Sequence, residues 1–121
     1  MHYLCLTYGD TVQWAGMSHP EQETVRNTCR AYETELRQRG HLVVADSFAK
    51  GAAALVSVLD GEVALQDGPL VSGAYKLVGY TMIQARDLNQ VIHLAAQMPQ
   101  AQLGVIEIWP LAAFDQHQQT M

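Results

Sequence analysis

Apolar residues recur along the chain with two alternating periods, and the switches between them mark its elements. His2-Tyr-Leu-Cys-Leu-Thr-Tyr8 has a period of two, with Leu4 and Leu6 on one face and Tyr3 and Cys5 on the other. Both faces are substantially apolar, which predicts an inner strand, stopped by Gly9-Asp10. Thr11 to Met17 reads as a loop or a short helical turn carrying Trp14. Ser18-His-Pro-Glu21 then has the S-x-x-E form of a capping box. The helix it opens runs to about Arg39, with Val25, Cys29, Tyr32 and Leu36 forming one apolar stripe and Glu23, Arg30, Glu33 and Arg37 facing water. Gly40 is the expected left-handed stop.

His41 to Asp46 predicts a second strand and Ala52 to Leu59 a third. Asp60-Gly61 turns the third strand back on Glu62 to Gln66 as a two-residue hairpin. That turn pairs Leu59 with Glu62, Val58 with Val63 and Val56 with Leu65, gathering branched side chains on one face. Asp67-Gly-Pro69 should be rigid: Asp favours a turn through its own side chain, Gly allows positive φ and Pro fixes φ. Tyr75 to Ile83 reads as a long strand. Asp87-Leu-Asn-Gln90 opens a second helix whose buried side is Leu88, Val91, Ile92, Ala95 and Met98, with Pro99 ending it. Gly104 to Trp109 is the last strand. Residues 1–111 form one domain, and 112–121, polar and Gln-rich, a loose tail.

With the hairpin set aside, the order is strand, helix, strand, strand, helix, strand. This is an α+β, ferredoxin-like βαββαβ sheet with two helices on one face and an inserted β-hairpin. Two helices can cover only one face of such a sheet. Yet Leu42-Val-Val-Ala45, Leu77-Val78 and Val105-Ile106 put apolar groups on both faces. An exposed apolar sheet face marks an interface, so the expectation is a homodimer that packs sheet on sheet, in the manner of a dimeric α/β barrel.

Composition narrows the class. At 49% hydrophobic and 16% charged, the 121-residue chain has material for a real core and too little charge for disorder. Its net charge is −5 and its seven Lys and Arg are dispersed, which argues against direct nucleic-acid binding. No signal-like start and no window of ~20 apolar residues is present, so a cytoplasmic protein without a membrane segment is expected. Cys5 and Cys29 lie in apolar patterns without a C-x-x-C pair and read as buried free thiols.

Topology then brings candidate residues to one edge. The end of the first strand (Tyr8, Asp10), the end of the second (Asp46, Ser47) and the turn from Asp67 to Tyr75 share it, with Trp14 and the helix start at Ser18 close by. Carboxylates, hydroxyls, an indole and a helix N-terminus on a concave edge suit a small ligand. Asp67 and Asp10 are the candidate catalytic groups, each also explained by turn chemistry. His19 is a weaker acid–base candidate. The five histidines have no metal-ligand spacing, and no P-loop, G-x-S-x-G or G-x-G-x-x-G pattern occurs, so neither a metal nor a cofactor is expected.

At Asp67-Gly-Pro69 the chain resembles the YCII-related domain family, in the branch named for its Asp-Gly-Pro-Phe motif. The likeness spans nearly the whole chain. It takes in Tyr8-Gly9-Asp10 with Trp14, Ser18…Pro20-Glu21, Glu35-Leu-Arg…Gly40, Leu77…Gly79-Tyr80, Asp87-Leu88, Ala95-Ala96…Pro99 and Gly104-Val-Ile-Glu107…Pro110. The resemblance implies a ferredoxin-like domain that dimerises through its sheet. Some relatives are enzymes with a His and Asp pair, one a dehydrochlorinase of chlorinated-aromatic breakdown, and others are fused to sigma factors. Here the motif's Phe is Leu70, Ser72-Gly73-Ala74 replaces a polar Glu-Thr-Lys, Leu103 replaces a His and Trp109 an Arg. Aligned with the enzymatic branch, the His and Asp fall at Cys29 and Met98.

Without that pair, the leading expectation is a dimeric small-molecule-binding protein, accessory or regulatory, using Tyr8, Trp14, Asp46, Ser47 and Tyr75. The alternative is a cofactor-independent lyase or isomerase for a small, possibly aromatic, metabolite, with Asp10 or Asp67 as base in a partly apolar pocket. An interaction module for a transcription factor ranks behind both.

Overall fold

The computed structural model describes residues 1–49, 53–71 and 73–112. Strand β1 (His2–Asp10) leads through a short helix α1 (Thr11–Ala15) into α2 (His19–Gln38). Then come β2 (Leu42–Ser47), the hairpin β3 (Ala54–Leu59) and β4 (Glu62–Asp67), and β5 (Tyr75–Gln84). Helices α3 (Leu88–Ala96) and α4 (Pro99–Leu103) precede β6 (Gly104–Pro110). Four strands form one sheet in the order β2-β5-β1-β6, each ladder antiparallel, and β3-β4 form a separate two-stranded sheet. This α+β fold is compatible with the ferredoxin-like arrangement. The expected start of the third strand at Ala52, and the tail from residue 113, lie outside the described residues.

Local chemistry explains most boundaries. The Ser18 hydroxyl accepts from the Glu21 N–H at 3.2 Å and the Glu21 carboxylate accepts from the Ser18 N–H at 3.0 Å, the reciprocal capping box. At the other end Gly40 adopts φ +79°, and the His41 and Gly40 N–H groups return to the Leu36 and Arg37 carbonyls. Asp60 (φ 52°) and Gly61 (φ 79°) make a two-residue turn with both central residues left-handed, and the hairpin register is the expected one.

Three expectations change. The buried side of α3 is Val91, Leu94 and Ala95, whereas Leu88 and Ile92 are about half exposed. So many apolar residues crowd this helix that spacing alone does not select its inner face; packing on the sheet does. Pro99 opens α4 rather than ending the helical segment, because a proline's fixed φ suits a first helical position. Gly68 lies outside the left-handed region. It is tied to the hairpin by its N–H to the Ala53 carbonyl, and a Cβ there would sit 3.2 Å from the Ala53 side chain, so close approach rather than positive φ favours glycine.

The core lies between one sheet face and helices α2 and α3. Tyr3, Cys5 and Ile83 from the sheet meet Leu36, Val91, Leu94 and Met98 from the helical side. The Tyr32 hydroxyl, its ring packed on this cluster, donates to the Leu94 carbonyl at 2.7 Å and joins the two helices. Among the described residues no core-forming helix covers the sheet's second face, where Val44, Leu77, Val105 and Trp109 are 39–54% exposed.

Two outcomes follow. A Cβ on Gly104 would run into the Tyr8 carbonyl oxygen, so Gly104→Ala should destabilise the fold by about 3 kcal/mol or more in urea titration, through loss of β1–β6 pairing. Burial pushes the Cys5 thiol from its ordinary 9.0 up to about 11. Between those values the unfolded chain binds fewer protons than the folded one, so this contribution is complete below pH 9 and is lost as pH rises towards 11. A thiol reagent at pH 8 should therefore modify half-buried Cys29 first and Cys5 only on unfolding.

Candidate functional site

Strand register sorts the open sheet face into three cross-strand rows. Val44, Met82, Leu4 and Trp109 form the first, Asp46, Tyr80, Leu6 and Glu107 the second, and Leu77, Tyr8 and Val105 the third. The outer rows are apolar apart from the Tyr8 hydroxyl. The middle row carries a carboxylate at each end and a tyrosine within. Tyr8 reaches back to this row, its hydroxyl donating to Glu107 Oε1 at 3.2 Å. Its phenol is pushed above the ordinary value of 10.0, chiefly by desolvation and further by the bond to Glu107 and that carboxylate's charge, so Tyr8 stays a neutral donor. At the β2 end, the Ser47 N–H donates to Asp46 Oδ1 at 2.8 Å, and the Phe48 and Tyr80 rings lie 5.9 Å apart.

The expected edge residues divide among three places. Asp10 stands opposite Tyr75 across β1–β5, as the topology required. Its carboxylate is engaged: Oδ1 accepts from the Val12 and Gln13 N–H groups, each at 3.1 Å, capping α1. Trp14 follows in that helix, with the Arg26 guanidinium 5.3 Å from its ring and its carbonyl accepting from Gln22 Nε2 at 2.7 Å. Asp46 and Ser47 pair with Tyr80 and Gly79, farther along β5 than Tyr75. Asp67 belongs to the separate hairpin, opposite Ala54, and is exposed. Two shallow grooves of about 330 and 290 Å³ run along that hairpin, lined mainly by its own side chains, so they are features of a ribbon rather than an enclosed site.

Glu107 was not among the residues singled out from the sequence. The signal was there: alternation through Gly104–Pro110 puts Val105, Glu107 and Trp109 on one face, and a lone carboxylate between two large apolar groups is unusual. Among the described residues, no group of three or more His, Cys, Asp or Glu lies close enough together to hold a metal ion. No helix among them is long and apolar enough to cross a membrane.

An antiparallel α+β sheet with helices packed on one face and a mixed polar and apolar opposite face defines the class. Within it, the chain belongs to the YCII-related domain family, whose model matches residues 1–115. It is also similar to an uncharacterized protein, R00369, of Rhizobium meliloti (strain 1021), with 28% identity over 117 residues and 94% of each chain covered. Cys29 and Met98, the positions at which the resemblance implies an enzymatic His and Asp, lie on α2 and at the start of α4. Met98 is buried in the core cluster, and Cys29 is half-buried on α2, its thiol pushed upward by desolvation and by the nearby Glu33 charge.

The capping geometry of Asp10 generates a test. Asp10→Ala should lower stability by about 1 kcal/mol in denaturant titration, and Asp10→Ser, which keeps an acceptor for the helix start, should restore most of it. If neither substitution moves the midpoint, the carboxylate does not stabilise the turn.

Proposed function

We propose that this chain is a dimeric small-molecule-binding protein, accessory or regulatory, in which two copies pack their open sheet faces together and hold the ligand between or beside them. The polar middle row in an apolar face carries this reading. Apolar side chains 39–54% exposed on strands β2, β5 and β6 favour burial. Burial of the same face would desolvate Asp46 and Glu107, which is costly unless each carboxylate finds donors. Tyr8 supplies one donor to Glu107 and the Ser47 N–H one to Asp46, leaving acceptor capacity on both. A small molecule with an apolar body and hydroxyl or amino donors complements that arrangement. Tyr75, opposite Asp10 and two residues before Leu77 on β5, continues the third row beside it.

The lyase or isomerase reading asks for a carboxylate free to take a proton in a desolvated pocket. Asp10 is occupied by two backbone N–H groups and Asp67 is exposed, which favours binding over catalysis.

Native mass spectrometry of protein purified from cells is the test. The expected result is a dimer carrying a reproducible extra small mass that is lost on Glu107→Gln with Tyr8→Phe. A monodisperse monomer at micromolar concentration would refute the assembly, and a dimer that stays without added mass when incubated with hydroxylated and aminated aromatic or alicyclic compounds would refute the ligand site.

A further inference from the structure

The hairpin β3–β4 is joined to the four-stranded sheet by no ladder, and its two faces differ. On one, Leu55 is half-buried and the turn after β4 lies against it: a Cβ on Gly68 would sit 3.3 Å from Leu55 Cδ2. The other presents Val56, Val58, Val63 and Leu65, each 62–73% exposed. An isolated two-stranded ribbon is marginal in water, and four branched apolar side chains together on one uncovered face mark a contact surface.

We propose that β3–β4 is an arm whose Val56, Val58, Val63 and Leu65 face packs onto a second copy of this chain, extending the sheet-on-sheet contact of the proposed dimer, on which this inference rests. Size selects the occupant. Four strands at ~4.8 Å spacing, each contributing ~6 residues at ~3.3 Å, give the open face a flat footprint of roughly 400 Å², about half the ~800 Å² per partner of a standard interface. A two-stranded ribbon of the same length adds roughly 200 Å². In a two-fold pair each protomer both gives an arm and receives one, so this addition counts twice and makes up the difference. The Val56–Leu65 and Val58–Val63 pairs put four apolar side chains side by side on the arm's contact face, with the Asp67 carboxylate only at its end opposite Ala54, so the centre of the face matches a second apolar surface.

Hydrogen exchange read by mass spectrometry on the wild-type chain, above and below its dimer dissociation constant, tests the arm directly. Analytical ultracentrifugation of Val58→Asp with Val63→Asp tests it independently. The expected result is that amides of β3–β4 slow at least tenfold in the dimer together with those of the open face, and that the double variant weakens dimerisation at least tenfold. A wild-type dimer whose hairpin amides exchange equally at both concentrations overturns the arm and leaves the sheet-on-sheet dimer standing. Protection that is independent of concentration means that the hairpin is covered by its own chain, and it overturns the arm as well. A wild-type chain that stays monomeric overturns both readings.

Discussion

A β-strand buries one set of alternate side chains only by presenting the other set on the opposite face, and here both sets are apolar while helices cover one side. Tyr3, Cys5 and Ile83 are sealed beneath α2 and α3, and the same strands therefore turn Leu4, Leu6, Tyr80 and Met82 outward. Each large apolar side chain fully buried contributes about 1.5–3 kcal/mol, so the inner set drives the packing of helices on the sheet, whereas the outer set is only partly buried. Helix placement, hairpin exposure and the proposed assembly all depend on this asymmetry.

It also accounts for where chemistry can reside. Met98 lies in the core cluster and the thiol of half-buried Cys29 is pushed above its ordinary value by desolvation, so neither offers an acid or base near neutral pH. Polar groups are found on the uncovered face, with Glu107 and Asp46 at the two sheet edges and Tyr8 held to Glu107. If that face is buried in the proposed assembly, its carboxylates need donors at hand, which links the ligand proposal to the assembly proposal through one desolvation argument.

Much of this fold was legible because individual residues have few alternatives. Asp60-Gly61 permits a left-handed pair and so sets the hairpin register, Ser18 with Glu21 sets the start of α2, and Gly40 sets its end. Legibility failed where several residues were equally suitable. In α3, Leu88, Val91, Ile92, Leu94 and Ala95 offer more than one apolar stripe, and contact with the sheet decided for Leu94 over Ile92. At Pro99 the same residue can follow one helix or begin the next. The candidate edge was partly legible: pairing put Asp10 opposite Tyr75, but the β2–β5 register, irregular between Leu42 and Val44, set Asp46 and Ser47 opposite Tyr80 and Gly79, farther along β5.

The sequence by itself determined the elements, the hairpin register, the two-sided apolar character of the sheet and the family, because periodicity, turn residues and motif order are local properties of the chain. Only the tertiary structure decided that Tyr8 meets Glu107, 99 positions away, that Asp10 is occupied in capping α1, and that the hairpin stands apart with its branched face bare. Those outcomes depend on which strand lies beside which and on what is left uncovered once the helices have packed, and no local pattern encodes the distance between residues at opposite ends of a chain.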